Sequence, residues 1–546
     1  MRKVEVAVVG AGPAGLTVAS EIANRGGKVL ILDENAKPGG QLFKQLHKFF
    51  GSSRHLAKER GFKIAQSLVQ QAQEAGVEIW FDAIVIGIFE DRVLGVVHKG
   101  KLQKLQADRI VLATGASEKA LAFPGWTLPG VMGAGAAQTM MNIHGILPGK
   151  RILMVGSGNV GLIVSYQLLQ AGAKVEAVVE AAPKVGGYQV HADKIRRIGV
   201  PIYLSYTVKE AFGDSRVEGA ILIQLDENGR PIAGTEREIA VDTVCLAVGL
   251  SPMAELTWVA GCQFTYINDL GGHVPLHNEA MATTVPGIYV AGDVAGIGEA
   301  SSAIEEGRLA GIAIAADLGY LPNSEAEHLK EQTRKELDAL RQGPVGGRVG
   351  QAKRALLDAH ATYIARQAGR EVKERAEATW TGSAPEAPRA RAEVPSAERR
   401  AQGPVAVIEC YEEIPCDPCE EACHQGAIFV GEPITSLPHL KAERCNGCGL
   451  CIPACPGLAI FVIDESYSED EATIMLPYEF LPLPHKGMTV KALDLQGQLV
   501  GEARVLEVRN PKAYDCTPVI KIAVSKELSM TVRHIALDEP KERSTV

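Results

Sequence analysis

The sequence predicts an α/β chain of two doubly wound parallel sheets, followed by a smaller α+β domain and a small β-rich domain. Three observations predict it. The apolar runs Val4-Glu5-Val6-Ala7-Val8-Val9 and Arg151-Ile152-Leu153-Met154-Val155 each lead straight into a glycine-rich turn, Gly10-Ala11-Gly12-Pro13-Ala14-Gly15 and Gly156-Ser157-Gly158-Asn159-Val160-Gly161. Eight of the eleven cysteines crowd between Cys410 and Cys455. Beyond residue 488, apolar and polar residues alternate between glycine-bearing turns, the pattern of antiparallel strands with one wet face.

Length and composition set the frame. A chain of 546 residues holds about three to five domains and buries a sizeable core. Hydrophobic content of 46% with 22% charged residues is ordinary for a globular protein. A net charge of −9 argues against nucleic acid or an anionic membrane as the main partner. No apolar run reaches the length of a membrane span, and the strand starting at Val4 leaves no room for a signal peptide. A cytoplasmic chain is therefore expected, in which clustered cysteines bind metal rather than form disulfides.

The first strand and turn organise the N-terminal part. An unbroken apolar run reads as a strand buried on both faces. Gly10 makes the tight turn, Gly12 lets the backbone approach a pyrophosphate, and Gly15 lets the helix at 16–24 pack on the strand. That helix presents the positive end of its dipole to the phosphate across Pro13 and Ala14. Val29-Leu30-Ile31-Leu32 reads as the second strand, and Asp33-Glu34 at its end falls where a ribose hydroxyl would sit. Strand, turn, helix, strand and acid in this order predict a bound dinucleotide.

Lys37-Pro38-Gly39-Gly40-Gln41-Leu42 is a glycine turn placed to pass a flavin ring. Residues 77–85, ending at Val85, and Ile110-Val111-Leu112 read as further strands, the latter running into Ala113-Thr114-Gly115. Far downstream, Gly287-Ile288-Tyr289-Val290-Ala291-Gly292-Asp293 is another buried strand, whose Asp293 could accept a hydrogen bond from a ribityl chain. These pieces together resemble the two-dinucleotide-domain flavoproteins of the thioredoxin and glutathione reductase superfamily. The resemblance implies FAD between an N-terminal and a returning segment, with a nicotinamide domain inserted between them.

The insertion is visible as the second turn, at Gly156, Gly158, Asn159, Val160 and Gly161, then a strand at 174–179 with Glu180 at its end. An acid there favours NAD over NADP, because a 2′-phosphate would meet like charge. The alternative is a domain that binds no nicotinamide, or holds another nucleotide permanently. No pair of cysteines spaced for a dithiol relay lies in the first 400 residues; Cys245 and Cys262 are isolated and read as small buried hydrophobes.

Phe123-Pro124-Gly125-Trp126-Thr127-Leu128-Pro129-Gly130-Val131-Met132 and Gly135-Ala136-Ala137-Gln138 are similar to the α subunits of heteromeric amine and imino-acid dehydrogenases. Sarcosine oxidase, hydrogen cyanide synthase, and opine and proline or hydroxyproline dehydrogenases form that group. Over about residues 1–325 the resemblance implies that a separate amino-acid-oxidase-like flavoprotein oxidises the substrate. The α subunit then carries cofactors and electron acceptors in a hetero-oligomer, which could also include a further small iron–sulfur protein.

Residues 325–341 and 352–377 are charged and alanine-rich, with leucines spaced for surface helices. The stretch from Ser383 through Pro404 is rich in proline, alanine and charge and reads as an extended linker.

Cys445-x2-Cys448-x2-Cys451-x3-Cys455-Pro456 is the run of bacterial ferredoxins. Zinc sites usually show two separated C-x-x-C pairs instead. Upstream lies a pseudo-repeat at an offset of 32: the segment from Ala422 to Val430 matches that from Ala454 to Val462, and Cys416 and Cys419 match Cys448 and Cys451. The counterpart of Cys445 would be residue 413, which is Glu413, but Cys410 stands three residues earlier. Ferredoxin logic then gives one [4Fe–4S] cluster to Cys410, Cys416, Cys419 and Cys455, and the other to Cys423, Cys445, Cys448 and Cys451. If Cys410 is not a ligand, a three-iron cluster is the alternative. The tail at 488–537 suggests a small antiparallel barrel or cap in which Cys516 is structural.

The expected organisation is an FAD domain at 1–120 and 251–322, an inserted NAD domain at 121–250 and a helical connector at 323–382. A linker at 383–404, a ferredoxin-like domain at 405–470 and a β-rich domain at 471–546 follow. A flavin accepts an electron pair and releases single electrons, so such a chain joins hydride chemistry to one-electron carriers. No side chain need act as general acid or base; His47 could approach the flavin, the alternative being a surface or packed histidine. The leading reading is an electron-transfer subunit of a multi-subunit dehydrogenase. A self-contained NADH:acceptor oxidoreductase, like the small subunit of glutamate synthase, and a scaffold with a structural nucleotide are the alternatives.

Overall fold

The computed structural model describes residues 1–368 and 394–537. The chain forms two compact units: residues 1–46, 54–119 and 249–387 make the first, and residues 47–53, 120–248 and 388–546 the second.

The first unit is built on a parallel sheet. Val6 to Val9 are buried on both faces, as an unbroken apolar run requires, so the strand Arg2–Val9 lies centrally between Val29–Leu32 and Lys101–Leu112. Glu78–Trp80 extends one side, and Ile288–Val290 returns to pair in parallel with Ile110 to Leu112. The run read as one strand at 77–85 is two. It breaks at Asp82, whose φ is 49°, and the second piece, Ala83–Phe89, turns away into an antiparallel meander with Val93–His98. The first helix starts earlier than its apolar pattern suggests, at Pro13, because proline fits the first helical turn.

The two charged helices appear at Asn323–Leu340 and Gly343–Gln367; residues 369–377 of the second expectation lie outside the described residues. They are more than a surface connector. Ala352 and Leu356 share a buried cluster with Leu270, Val274 and Leu276, and Lys353 and Arg341 reach a buried carboxylate, Glu306.

The second unit carries its own parallel sheet, in the order Ile202–Leu204, Lys174–Glu180, Arg151–Val155, Thr243–Leu246, Val131–Gly133. A three-stranded antiparallel sheet, Tyr206–Phe212, Gly219–Gln224 and Arg237–Ile239, packs on one face of it. Beyond it the offset of 32 becomes geometry. Val405–Ile408 pairs with Ile460–Asp464 with Ile408 opposite Ile460, and Ile428–Phe429 pairs with His439–Leu440 with Ile428 opposite Leu440.

Two further differences from expectation stand out. Of the linker at 383–404, residues 383–393 lie outside the described residues, but the rest is not extended: Ala397–Arg400 is a short helix capped by Ser396. The tail is an open sheet and not a barrel, and it is continuous with the cysteine-bearing domain. Seven antiparallel strands run from Val405–Ile408 through Ile460–Asp464, Glu471–Pro477 and Val519–Ser525 to His534–Ala536. Phe461 and Ile463 share one buried core with Val490, Val505 and Ile522. The described helices include none long and apolar enough to cross a membrane.

Candidate dinucleotide and iron–sulfur sites

The two glycine turns are built alike. Gly10 and Gly156 have φ of 107° and 106°, and a Cβ on either would lie 2.3 Å from a carbonyl oxygen, of Ala113 and Ala247 respectively. Gly15 and Gly161 press just as closely on the carbonyls of Gly10 and Gly156. Only glycine fits at these four places. At Gly12 and Gly158 the Cβ position is open, apart from the Gly40 Cα at 4.0 Å from the former, which is the clearance a pyrophosphate needs. Helices Pro13–Ala23 and Asn159–Gln170 begin at these points.

The acids at the strand ends hold the turns. Asp33 accepts from the Ala11 N–H at 2.5 Å and from the Asn35 backbone and side-chain N–H groups at 2.8 and 2.9 Å. Glu180 does the same job in the second unit, accepting from Ser157 N and Oγ at 2.9 and 2.7 Å and from Ala182 N at 3.0 Å. Glu34, the next residue after Asp33, is exposed and has its carboxylate available, whereas Ala181 follows Glu180. Each site has a second glycine pair folded against its turn, and these belong to a short repeat, Lys37-Pro38-Gly39-Gly40 and Lys184-Val185-Gly186-Gly187. Gly39 N donates to Ala11 O at 2.8 Å and Gly187 N to Ser157 O at 2.9 Å. Sequence reasoning found the first pair and missed the second, although the repeat was there to be read.

The remaining residues expected at the FAD site all fall in the first unit. Thr114 donates its hydroxyl to Met253 O at 2.6 Å, and Met253 N donates to Gly115 O, which fixes the Ala113-Thr114-Gly115 turn. Val85 is half-buried in the meander, and Gln41 is exposed beside Gly40. Asp293 follows Gly292 and accepts from Gly298 N at 3.1 Å. Burial pushes its carboxyl up to about 6, with Glu306 adding to the rise and the Gly298 N–H and Lys353 opposing it. Glu306 accepts from Gly292 N at 2.9 Å and from Lys353 Nζ at 2.7 Å. His47 belongs to the second unit, where its ring stacks on Phe49 with centroids 4.7 Å apart.

The cysteines fall into two electrostatic sets. Cys410, Cys416 and Cys419 each feel the Cys455 sulfur, and Cys451 feels Cys445, Cys448 and Cys423 first, with weaker influences across the sets between Cys451 and Cys455 and between Cys451 and Cys419. Burial, then neighbouring sulfur, pushes the Cys410 thiol up to about 12 and Cys416 and Cys419 well above the ordinary thiol value. Buried thiols so placed would ionise only against a cationic centre, which a metal cluster would supply. Backbone N–H groups already point at the sulfurs: Ala427 at Cys423 (3.2 Å), Ala459 at Cys455 (3.5 Å) and Ala406 at Cys445 (3.4 Å). Soft thiolate donors with N–H···S support suit an iron–sulfur cluster. Among the described residues, no group of three or more His, Cys, Asp or Glu side chains closes on a single-ion position. Cys245 and Cys262 are buried in different units, and Cys262 Sγ lies 3.4 Å from Thr283 Oγ1. Cys516, expected to be structural, is instead exposed in a turn.

Residues 4–307 match the model of pyridine nucleotide-disulphide oxidoreductases. The chain belongs to this family. As a member it has a binding fold for FAD and NAD(P), and a second match, to the 4Fe–4S binding domain at residues 438–461, adds an iron–sulfur domain to that oxidoreductase. Among curated proteins, an opine oxidase subunit of Agrobacterium tumefaciens is 32% identical over 58% of this chain and 66% of its own length. The HcnB subunit of hydrogen cyanide synthase from Pseudomonas aeruginosa is 26% identical over 62% and 76%, and the alpha subunit of sarcosine oxidase from Rhizobium meliloti 29% over 58% and 31%. The chain thus matches somewhat less than two thirds of the opine oxidase subunit. A solved L-proline dehydrogenase from P. horikoshii is 25% identical over 61% of this chain and 59% of that one, with a TM-score of 0.48. The chain departs from the family's name in one respect: its first 400 residues contain no closely spaced cysteine pair.

Sequence reasoning also missed a ring of cations around the cysteine loops. Lys48 Nζ donates to Pro453 O at 2.6 Å, Lys194 Nζ to Pro456 O at 3.4 Å and Arg197 Nη1 to Leu458 O at 2.9 Å. Arg399, in the expected linker, donates to Cys445 O at 2.5 Å. These pairings span tens to hundreds of residues and leave no local signal.

Proposed function

We propose that this chain is the FAD-, NAD- and iron–sulfur-carrying electron-transfer subunit of a multi-subunit dehydrogenase. Its partner would be an amino-acid-oxidase-like flavoprotein acting on an amine, imino acid or similar small substrate. The observation that carries the reading is the crossed grouping of the cysteines: Cys423 and Cys455 take equivalent N–H···S contacts 32 residues apart, Cys455 acts on Cys410, Cys416 and Cys419 as well as more weakly on Cys451, and Cys423 acts on Cys451. That crossing supports two [4Fe–4S] sites with Cys410 as a ligand. The names of the relatives, each a subunit of an oxidase or synthase, support a heteromer.

The residues divide the work. The N–H groups at the start of Pro13–Ala23 face the open side of Gly12 and would hold the FAD pyrophosphate. Asp33 keeps that turn in shape, which leaves Glu34 to accept from the adenosine ribose. Asp293 sits at the returning strand's end, where a carboxylate accepts from a ribityl hydroxyl. In the second unit Glu180 braces Ser157 and puts negative charge beside the turn, which disfavours a 2′-phosphate and supports NAD. When bound, the flavin takes an electron pair and gives up single electrons, and the clusters carry single electrons onward. The N–H···S contacts at Cys423, Cys445 and Cys455 would support a bound cluster and the negative charge it carries.

Two measurements test the proposal. Anaerobic titration of the purified holoprotein should bleach the flavin absorbance with NADH and leave it intact with NADPH; a flavin that NADH does not reduce removes the NAD arm. Native mass spectrometry of the complex should show a second flavoprotein in stoichiometric amount. Full NADH-driven reduction of an external one-electron carrier by the isolated chain would instead favour the self-contained oxidoreductase.

A further inference from the structure

We propose that Lys194 and Arg197 raise the reduction potential of the cluster bound by Cys410, Cys416, Cys419 and Cys455 above that of the cluster bound by Cys423, Cys445, Cys448 and Cys451. The inference rests on the ligand sets proposed above and goes beyond them, by making the helix Gln189–Arg197 of the second dinucleotide fold the element that orders the two potentials.

The argument is electrostatic. Reducing a cluster adds one negative charge at a fixed place, so a nearby cation shielded from water favours the reduced form. Lys194 and Arg197 are 6% and 5% exposed. Their heads reach the carbonyls of Pro456 and Leu458, one and three residues beyond Cys455. Lys194 also lies over the Tyr166 ring at 4.7 Å, and Arg197 over Phe461 at 5.3 Å. Lys48, 6% exposed, stands on the same loop through Pro453 O.

The acids nearby are engaged elsewhere. Asp193 accepts from Gln189 Nε2 and Arg196, Glu409 pairs with Arg533 at 2.6 Å, and Glu412 accepts from the Gln189 N–H. The other set of cysteines is differently placed. Cys448 is exposed, and Arg509, which reaches its carbonyl at 3.3 Å, is half-buried and paired with Glu507. Arg399 is likewise half-buried beside Cys445, so the cations at this second site are only partly shielded from water, unlike Lys194 and Arg197. Water and salt screen charges there in a way that they do not around Cys455.

The test is an EPR-monitored redox titration, with dithionite as reductant, of the full-length protein purified anaerobically with its cofactors. Iron and sulfide analysis comes first: protein holding one cluster only overturns the ligand sets and this inference with them. With two clusters present, Cys448→Ser identifies the couple that belongs to the exposed set. Lys194→Met should move the potential of the other couple to more negative values and leave the exposed couple and the flavin where they were, and Lys194→Arg should restore it. If Lys194→Met leaves both cluster potentials unchanged, or moves them equally, the inference falls while the ligand sets stand. Should that variant lose iron, the wild-type protein decides. Raising ionic strength should shift the lower-potential couple and spare the higher, and the reverse result overturns the inference.

Discussion

Cys423 and Cys455 occupy equivalent positions 32 residues apart, each accepting a backbone N–H from the alanine four residues on, at 3.2 Å from Ala427 and 3.5 Å from Ala459. Each is proposed above to serve the cluster of the other half of the repeat. A substitution at one therefore acts at a distance in sequence. Cys455→Ser should spoil the site of Cys410, Cys416 and Cys419 and spare that of Cys445, Cys448 and Cys451. Iron and acid-labile sulfide per chain should fall to about half. Loss confined to the Cys445 set would contradict the crossing.

The division of labour between Asp33 and Glu34 separates folding from binding. Glu34→Gln should weaken FAD retention about tenfold, near 1.4 kcal/mol, with the apoprotein's melting temperature unchanged. Asp33→Ala should lower apoprotein stability by about 1–3 kcal/mol, the cost of leaving the buried Ala11 N–H without its acceptor. Calorimetry and flavin fluorescence distinguish the two; equal effects on both readouts would refute the assignment.

Asp293 makes a pH prediction. Its folded pKa of about 6 exceeds the ordinary value of 3.8, so the folded chain binds the proton more tightly than the unfolded one. The apoprotein should lose stability as pH rises from about 4 to 6, by up to about 3 kcal/mol. Asp293→Asn should flatten that slope and weaken FAD binding at pH 7. Urea titrations at pH 4.5 and 7 check it.

Glu306 ties the two appended helices to Gly292. Lys353 and Arg341 both neutralise it in a buried setting, so Lys353→Met leaves a buried carboxylate short of a partner and should cost about 3–5 kcal/mol. The double variant Lys353→Met with Glu306→Gln should recover part of that loss. A single variant as stable as wild type would show that the helices merely rest on the surface.

Much of this was legible in sequence for a physical reason. The glycines at 10, 15, 156 and 161 are forced by carbonyl contacts, so they appear as motifs. Cys410 could be singled out only by proximity, because the repeat points to residue 413, which is Glu413, and Cys410 stands three residues earlier. Direction and closure were not legible. Which acid of Asp33-Glu34 turns inward depends on side-chain orientation at a strand end, and the tail's alternation could not say whether its outer strands meet. Helices 323–340 and 343–367 read as solvated because each buries only a few small or widely spaced residues, Ala326, Leu337 and Leu340 in the first and Ala352, Leu356 and the stem of Lys353 in the second, rather than a broad apolar stripe.

The ladder joining Val405–Ile408 and Ile460–Asp464 to Glu471–Pro477 limits how the chain can be cut or recombined. A truncation after residue 470 would expose a raw sheet margin and half of the core around Phe461, inviting aggregation. The metal-bearing cassette and the tail must then be inherited together, and a graft onto another reductase would succeed only if it carried residues 405–537 as one piece.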